Sequence, residues 1–173
     1  MATFTERAMD ALYAFLTDPT TGLNAETLPT MRTDLGIDTD ALPDVAVFEK
    51  WYHRGGQATA FPYLSLVVSS SGGELEPNSR MYEVTFDVAL VVLDRDIDGN
   101  EVDVLQASWR YGDAIKTIMQ RRVPMGQQGW TLDVATRIIR ATVDQQIPGA
   151  DPTIAADNAA ILTTVTIVTA EEY

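Results

Sequence analysis

The clearest pattern in the chain is the alternation of apolar and polar residues in 81-MYEVTFDVALVVL-93. Every second side chain from Tyr82 to Val92 is apolar and would lie on one side of a β-strand. Glu83 and Asp87 fall on the other side. The pattern predicts a long strand with one buried and one polar face, in an antiparallel sheet that another layer covers on one side.

A long amphipathic helix is predicted after this strand, from about Val102 to Arg122, and Pro124 and Gly126 end it. The residues assigned to its inward face are Leu105, Ser108, Gly112, Ile115 and Met119, flanked by Ala107, Tyr111, Ala114 and Ile118. We expect this helix to cover the apolar face of the strand.

A shorter amphipathic helix is predicted near the beginning of the chain, from Thr3 or Thr5 to about Thr17. Its apolar face would comprise Ala8, Leu12, Phe15 and Leu16, with Met9 and Tyr13 on its flank. Residues 19–45 are too rich in apolar side chains for a disordered linker. They predict an ordered, irregular extension with one short helix near residues 25–31.

Four further strand regions are predicted at residues 45–53, 63–70, 129–147 and 159–170. In the third region the apolar pattern changes phase near Ile138 and Ile139, as a β-bulge would cause. Because the strands come in groups and do not alternate regularly with helices, the predicted fold class is α+β. The expected architecture is one antiparallel sheet of four or five strands with helices packed on one face.

The length of 173 residues fits a single domain. We divide it into an N-terminal helix (1–18), the irregular extension (19–45), and the sheet with the main helix (46–173). The chain has no cysteine, which excludes disulfides, thiolate metal sites and cysteine nucleophiles. The beginning of the chain does not read as a signal peptide, and no apolar run is long enough for a membrane span, so we expect a soluble protein made in a cytoplasm.

The formal net charge of −13 argues against a protein that coats nucleic acid, because affinity for phosphates comes from clustered Lys and Arg. The same charge is compatible with a surface that DNA passes without adhering. It is equally compatible with an ordinary acidic soluble protein.

The segment 94-DRDIDGNEVDVL-105 begins like a calcium-binding EF-hand loop, with Asp94, Asp96 and Asp98 at the first three ligand positions. However, the twelfth position holds Leu105 where an EF-hand needs a bidentate Glu. A strand, rather than a helix, is predicted before the segment. We therefore interpret it as an acidic turn between strand and helix, and we predict no metal site.

No enzyme signature stands out in the chain. The single histidine, His53, has no second histidine or cysteine with which to bind a metal. No nucleophile elbow and no phosphate-binding loop is present in the sequence. We therefore expect a protein that is not an enzyme and has no cofactor.

The segment 51-WYHRGG-56 is a candidate contact surface, because Trp, Tyr and Arg dominate the energetics of protein interfaces. The candidate residues are Trp51, Tyr52 and Arg54. A buried Trp51 at the end of a strand is the competing interpretation.

The order of these elements resembles the tail terminator (tail completion) proteins of tailed bacteriophages and related phage-like particles. The resemblance covers about residues 1–170. It rests on the N-terminal helix, the strand entry 61-FPYLSLVV-68, the long strand from Tyr82 to Leu90, and a helix that contains 111-YGDAIKTIM-119. Two further strands then complete the pattern.

The resemblance implies a structural virion protein at the head–tail junction, assembled in the host cytoplasm. Such a protein forms a ring, commonly of six subunits, that caps the tail tube and joins it to the neck. The implied partners are further copies of the chain, the tail tube protein, the neck or connector protein and, in contractile tails, the sheath protein. DNA would only pass through the lumen, and no membrane is involved.

The candidate contact loops in this interpretation are 71–79, with Glu74 and Glu76, and 94–100, with Asp94, Asp96 and Asp98; the extension 19–45 is a third. Plain solvated turns are the alternative for each of them. Two other functions remain open: another phage neck or head-completion protein, and a small acidic module that binds a ligand.

Overall fold

The computed structural model describes residues 4–50, 58, 60–72, 81–93, 104–122, 131–133, 136–145 and 158–171. The helices are α1 (Phe4–Leu16), α2 (Leu28–Leu35) and α3 (Val104–Arg122), and a π-helical segment, Leu23–Thr27, leads directly into α2. The strands are β1 (Val47–Lys50), β2 (Tyr63–Gly72), β3 (Met81–Leu93), β4 (Thr131–Asp133), β5 (Thr136–Gln145) and β6 (Asn158–Glu171). Among these residues no helix has the length and apolar character that a membrane crossing needs.

The strands form one sheet in the order β1-β2-β3-β6-β5-β4. The longest pairing in the sheet is between the antiparallel strands β3 and β6. It runs without interruption from Met81 opposite Ala170 to Leu93 opposite Asn158. Only the short edge strand β1 runs parallel to its neighbour. The predicted α+β class, with a largely antiparallel sheet and helices packed against it, is confirmed.

The described residues form six strands rather than four or five, because the region 129–147 contains two. β4 and β5 pair with each other as antiparallel strands, and β5 then pairs with β6. The register of β5 against β6 shifts between Ile138 and Arg140, so the β-bulge predicted there is confirmed.

One face of the sheet carries the core. The alternation in β3 places five side chains there, and each is fully buried: Val84, Phe86, Val88, Leu90 and Val92. Leu64 and Leu66 from β2 and Ile161 and Val165 from β6 extend the same apolar surface. The core is continuous through the three helices, since α3 packs across β3, β6 and β5 while α1 packs on β2.

Most of the predicted inward face of α3 is buried, from Ala107 and Ser108 to Ile118 and Met119. Leu105 is the exception, because 47% of its surface is exposed. Its assignment to the core was therefore wrong: Val104 in the same turn packs against the core, whereas Leu105 lies at the edge of the buried face of α3.

The extension 19–45 is ordered and contributes to the core through three fully buried side chains, Leu23, Leu28 and Leu42. The predicted short helix is present, but it continues to Leu35. Gly36 follows and ends the helix, because it adopts the left-handed conformation with φ of 66°.

Polar side chains of the extension bond backbone groups far along the chain. Asn24 donates its amide to the Val45 carbonyl and accepts the Val45 N–H, both at 2.9 Å. Arg32 donates to the Leu42 carbonyl at 2.7 Å and forms an ion pair with Asp44. These bonds join the first and last parts of the extension to each other and hold it in one arrangement.

Tyr111 joins this extension to the main helix. Its side chain is fully buried, and its hydroxyl donates to the Pro43 carbonyl at 2.7 Å. A second link uses the backbone, where the Ala46 N–H donates to the Pro62 carbonyl at 2.9 Å. The two bonds connect α3, the end of the extension and the entry to β2.

The second face of the sheet is polar in its middle. There the Thr85 and Thr166 hydroxyls lie 3.1 Å apart, and the Thr164 hydroxyl donates to Asp87 at 3.3 Å. Val91 and Leu93, near the end of β3, are nevertheless buried on this face, so the polar face predicted for β3 does not extend to that end.

Tyr111→Phe should lower the free energy of unfolding by about 0.5–1.5 kcal/mol, because it removes the part-buried hydrogen bond to the Pro43 carbonyl. Urea denaturation monitored by circular dichroism measures this. Thr33→Ala is the matched control, since it removes an exposed hydroxyl–carbonyl bond to Pro29 at 3.0 Å. A change of less than about 0.5 kcal/mol is expected for the control. Equal effects from both would contradict the structural role of Tyr111.

Gly22→Ala should be more destabilising than Gly36→Ala. A Cβ at Gly22 would lie 2.6 Å from the Asp18 backbone nitrogen and 2.8 Å from the Leu16 carbonyl oxygen. These backbone atoms cannot move aside cheaply, so a loss of about 1–3 kcal/mol or more is expected. Gly36 has open space around it and would lose only about 1 kcal/mol through its positive φ. Thermal unfolding of both variants gives the order.

Candidate functional site

A cleft between α2 and α3 is the best candidate site in the described part of the chain. Its volume is about 450 Å³. The residues that line it are Thr27, Thr30, Met31, Asp34 and Leu35 from the α2 side, and Gln106, Trp109, Arg110, Asp113 and Thr117 from α3. We call it the α2–α3 cleft.

The rim of the α2–α3 cleft is unusually apolar for a surface. Three large hydrophobic side chains are strongly exposed among the described residues: Leu35 (49%), Leu105 (47%) and Trp109 (48%). Leu35 and Trp109 line the cleft, and Leu105 lies one turn before Trp109 on the same side of α3. Single exposed apolar residues need no explanation, but a group of them beside a cleft marks a contact surface.

Arg110 places a cation in this cleft. Its Nη1 atom is buried and has no hydrogen-bond partner among the described residues. Burying a charged donor without an acceptor is costly. The cleft therefore combines exposed apolar side chains with one guanidinium and the carboxylates of Asp34 and Asp113.

A second cleft, of about 480 Å³, lies between α1, the extension and β1. Its polar groups are already engaged. The Asp18 carboxylate accepts the N–H groups of Thr20 and Thr21, both at 2.8 Å, and Asn24 is bonded to Val45. Because these groups have partners within the chain, this cleft has less capacity for a ligand.

The polar sheet face is a third surface to consider. Besides Thr85, Asp87 and Thr166, it carries half-buried Val67, Ala89 and Leu162. Glu83 lies on the same face, at the end of β3 that is paired with Gly72, and it has no hydrogen bond or ion pair to another described residue. The face is therefore mixed in character and carries a free carboxylate at one end.

The contact residues predicted from the sequence all lie outside the described residues. They are Trp51, Tyr52, Arg54, Glu74, Glu76, Asp94, Asp96 and Asp98, and His53 lies there too. The elements around the acidic segment are described, however. β3 ends at Leu93 and α3 begins at Val104, so the segment connects a strand to a helix, as predicted.

No group of three or more potential metal-ligating side chains occurs within the described ranges.

The cleft residues Trp109, Arg110 and Leu35 were not predicted as a site from the sequence. One signal was available for Trp109, a large aromatic residue that belongs neither to the inward face of α3 nor to its flanks. Nothing in the sequence indicates that α2 lies beside it.

Comparison with models of known protein families finds none that matches the chain, and a search of curated proteins also finds no match.

Leu105→Gln should change the free energy of unfolding by less than about 0.5 kcal/mol, because the side chain is half exposed. Ile115→Ala, on the fully buried side of the same helix, should cost about 2–5 kcal/mol. Chemical denaturation of both variants makes the comparison. A large loss of stability in Leu105→Gln would contradict the exposed position of this side chain.

Proposed function

We propose that this chain is a structural virion protein, a tail terminator of a tailed phage or a related phage-like particle. In this proposal several copies, commonly six, form a ring that caps the tail tube and joins it to the neck. The partners are the tube protein, the neck or connector protein and, in a contractile tail, the sheath protein. The protein acts by geometry and performs no covalent chemistry.

The order of the elements is the observation that carries this proposal. α1 and the extension are followed by β2, the long β3, α3 and the final strands β5 and β6, which is the order on which the resemblance rests. Two motif positions also have structural roles, since the Pro62 carbonyl accepts from Ala46 and Tyr111 donates to Pro43.

The surface of the chain is consistent with assembly. A subunit of a closed ring needs two different surfaces that fit each other, because a ring is built from heterologous contacts. The α2–α3 cleft, with exposed Trp109 and Leu35, is an apolar surface of the kind that subunits cover. The net charge of −13 would also keep DNA from adhering to a lumen.

A small ligand-binding module is the second candidate function. The observation that favours it is the volume of the α2–α3 cleft, about 450 Å³, which falls in the range of small-molecule pockets. This function predicts a monomer or dimer that never contacts a tail tube.

Electron microscopy tests the proposal directly. The purified protein, alone and mixed with tail tubes of the same particle, should form rings or caps located at tube ends, because a terminator stops growth there. Tubes from an unrelated phage are the control and should remain uncapped. A protein that stays monomeric and leaves the matching tube ends bare would contradict the proposal.

A further inference from the structure

We infer that the α2–α3 cleft binds a basic segment of a partner protein, one that carries a lysine or arginine beside an apolar side chain. The apolar side chain packs against Trp109 and Leu35, and the cation meets the carboxylates of Asp34 and Asp113. The inference deepens the proposed function and rests on it for the identity of the partner, because a terminator must recognise a tube or neck protein.

The exposed apolar surface is larger than the cleft. Trp109 and Leu35 line the cleft, and each is about half exposed. Leu105 is exposed to the same extent and lies one helical turn before Trp109, outside the lining. A small molecule confined to the cleft would leave Leu105 in water, whereas a chain segment that crosses the rim covers all three side chains. The extent of the apolar surface therefore favours a protein partner.

Carboxylates outnumber cations in the lining of the cleft. Asp34 on α2 and Asp113 on α3 are both exposed, and neither has a hydrogen bond or ion pair to another described residue. Arg110 is the one cation in the lining, and its Nη1 is buried. Asp113 also follows Trp109 by one helical turn, so a cation at this carboxylate lies close to an indole ring, whose face attracts cations.

The chain around the cleft is acidic as well. Residues 23–45 contain five acidic side chains and one basic side chain: Glu26, Asp34, Asp38, Asp40 and Asp44 against Arg32. The whole chain has a net charge of −13, so a second copy would be repelled from this surface. A basic segment would be attracted to it. Charge complementarity therefore favours a basic partner over another copy of this chain.

Two polar atoms distinguish the lining from ordinary helix packing. Thr27 is 2% exposed, and its Oγ1, like Nη1 of Arg110, is buried without a hydrogen-bond partner among the described residues. Such atoms lower stability, and proteins retain few of them. They occur where a chain gives up stability for function. The partner does not need to reach them, because the carboxylates and the apolar side chains that it contacts are exposed.

A peptide selection tests the chemistry of the occupant. The probe is a displayed library of random peptides, which is bound to the wild type and depleted on the Trp109→Gln variant, so that peptides that depend on the cleft remain. These should be enriched in Lys or Arg next to apolar residues and depleted in Asp and Glu. The urea midpoint of Trp109→Gln should match that of the wild type, because the side chain is half exposed, so lost binding is not lost folding.

Affinities for one selected peptide, measured by fluorescence anisotropy, separate the two parts of the contact. Trp109→Gln should raise the Kd roughly 30-fold, as expected for a central aromatic anchor. Asp34→Asn and Asp113→Asn should each raise it about two- to fivefold, and less at high salt, because both carboxylates are exposed. Glu83→Gln is the matched control: it removes the same charge on the opposite face of the sheet and should leave the Kd unchanged.

Three results would overturn the inference. The first is a selection that returns no peptide whose binding depends on Trp109. The second is a set of such peptides that are acidic or lack Lys and Arg. The third is self-association of the wild type, seen by sedimentation velocity, that Trp109→Gln abolishes, because a second copy would then be the occupant.

Assembly is scored separately by electron microscopy of tubes and necks of the same particle. If Trp109→Gln still caps the tubes and joins them to the neck, this contact is wrong and the terminator function stands. If the wild type binds basic peptides at the cleft but never caps a matching tube, the terminator function is wrong and the chemistry of the cleft stands.

Discussion

Five fully buried side chains at alternate positions of β3, from Val84 to Val92, need a cover, and the positions of the helices follow from that need. α3 spans the middle of the sheet over β3, β6 and β5, and α1 covers β2. The gap between them is closed by the extension, whose Leu23, Leu28 and Leu42 enter the same core. Because the extension is held by bonds to Val45, Leu42 and Pro43, α2 has a fixed position beside α3. The α2–α3 cleft is thus formed between two of the helices that cover the sheet.

The sequence predicted some elements in full, and the reason is physical. β3 has both predicted ends, since a period of two over thirteen residues occurs only in a strand with one buried face. The helical period of α3 fixed its inward face from Ala107 to Met119. The assignment failed at Leu105, because this residue lies at the edge of the apolar face, and periodicity alone does not show how wide a strip of a helix is covered.

Features that depend on contacts between distant residues could not be predicted. Trp109 and Leu35 are 74 residues apart, and their helices are brought together by the shared core and by the bonds of Arg32 and Tyr111. In the region 129–147 the β-bulge was predicted correctly, but the division into β4 and β5 was not. A three-residue strand such as β4 is too short to show an alternation of apolar and polar residues. The contact residues proposed from composition, such as Trp51 and Asp94, lie outside the described residues, so their roles stay predictions.

The position of β6 has a consequence for how the chain folds. β6 follows β5 in sequence but lies between β3 and β5 in the sheet. Until β6 is synthesised, β1, β2 and β3 can pair only among themselves, and β4 and β5 form a separate hairpin. The long side of β3 is then an open edge that can template wrong pairings. Sequence separations of about 75 residues between β3 and β6 also give the fold a high contact order. Folding should therefore be slow, with closure of the sheet by β6 as its late step.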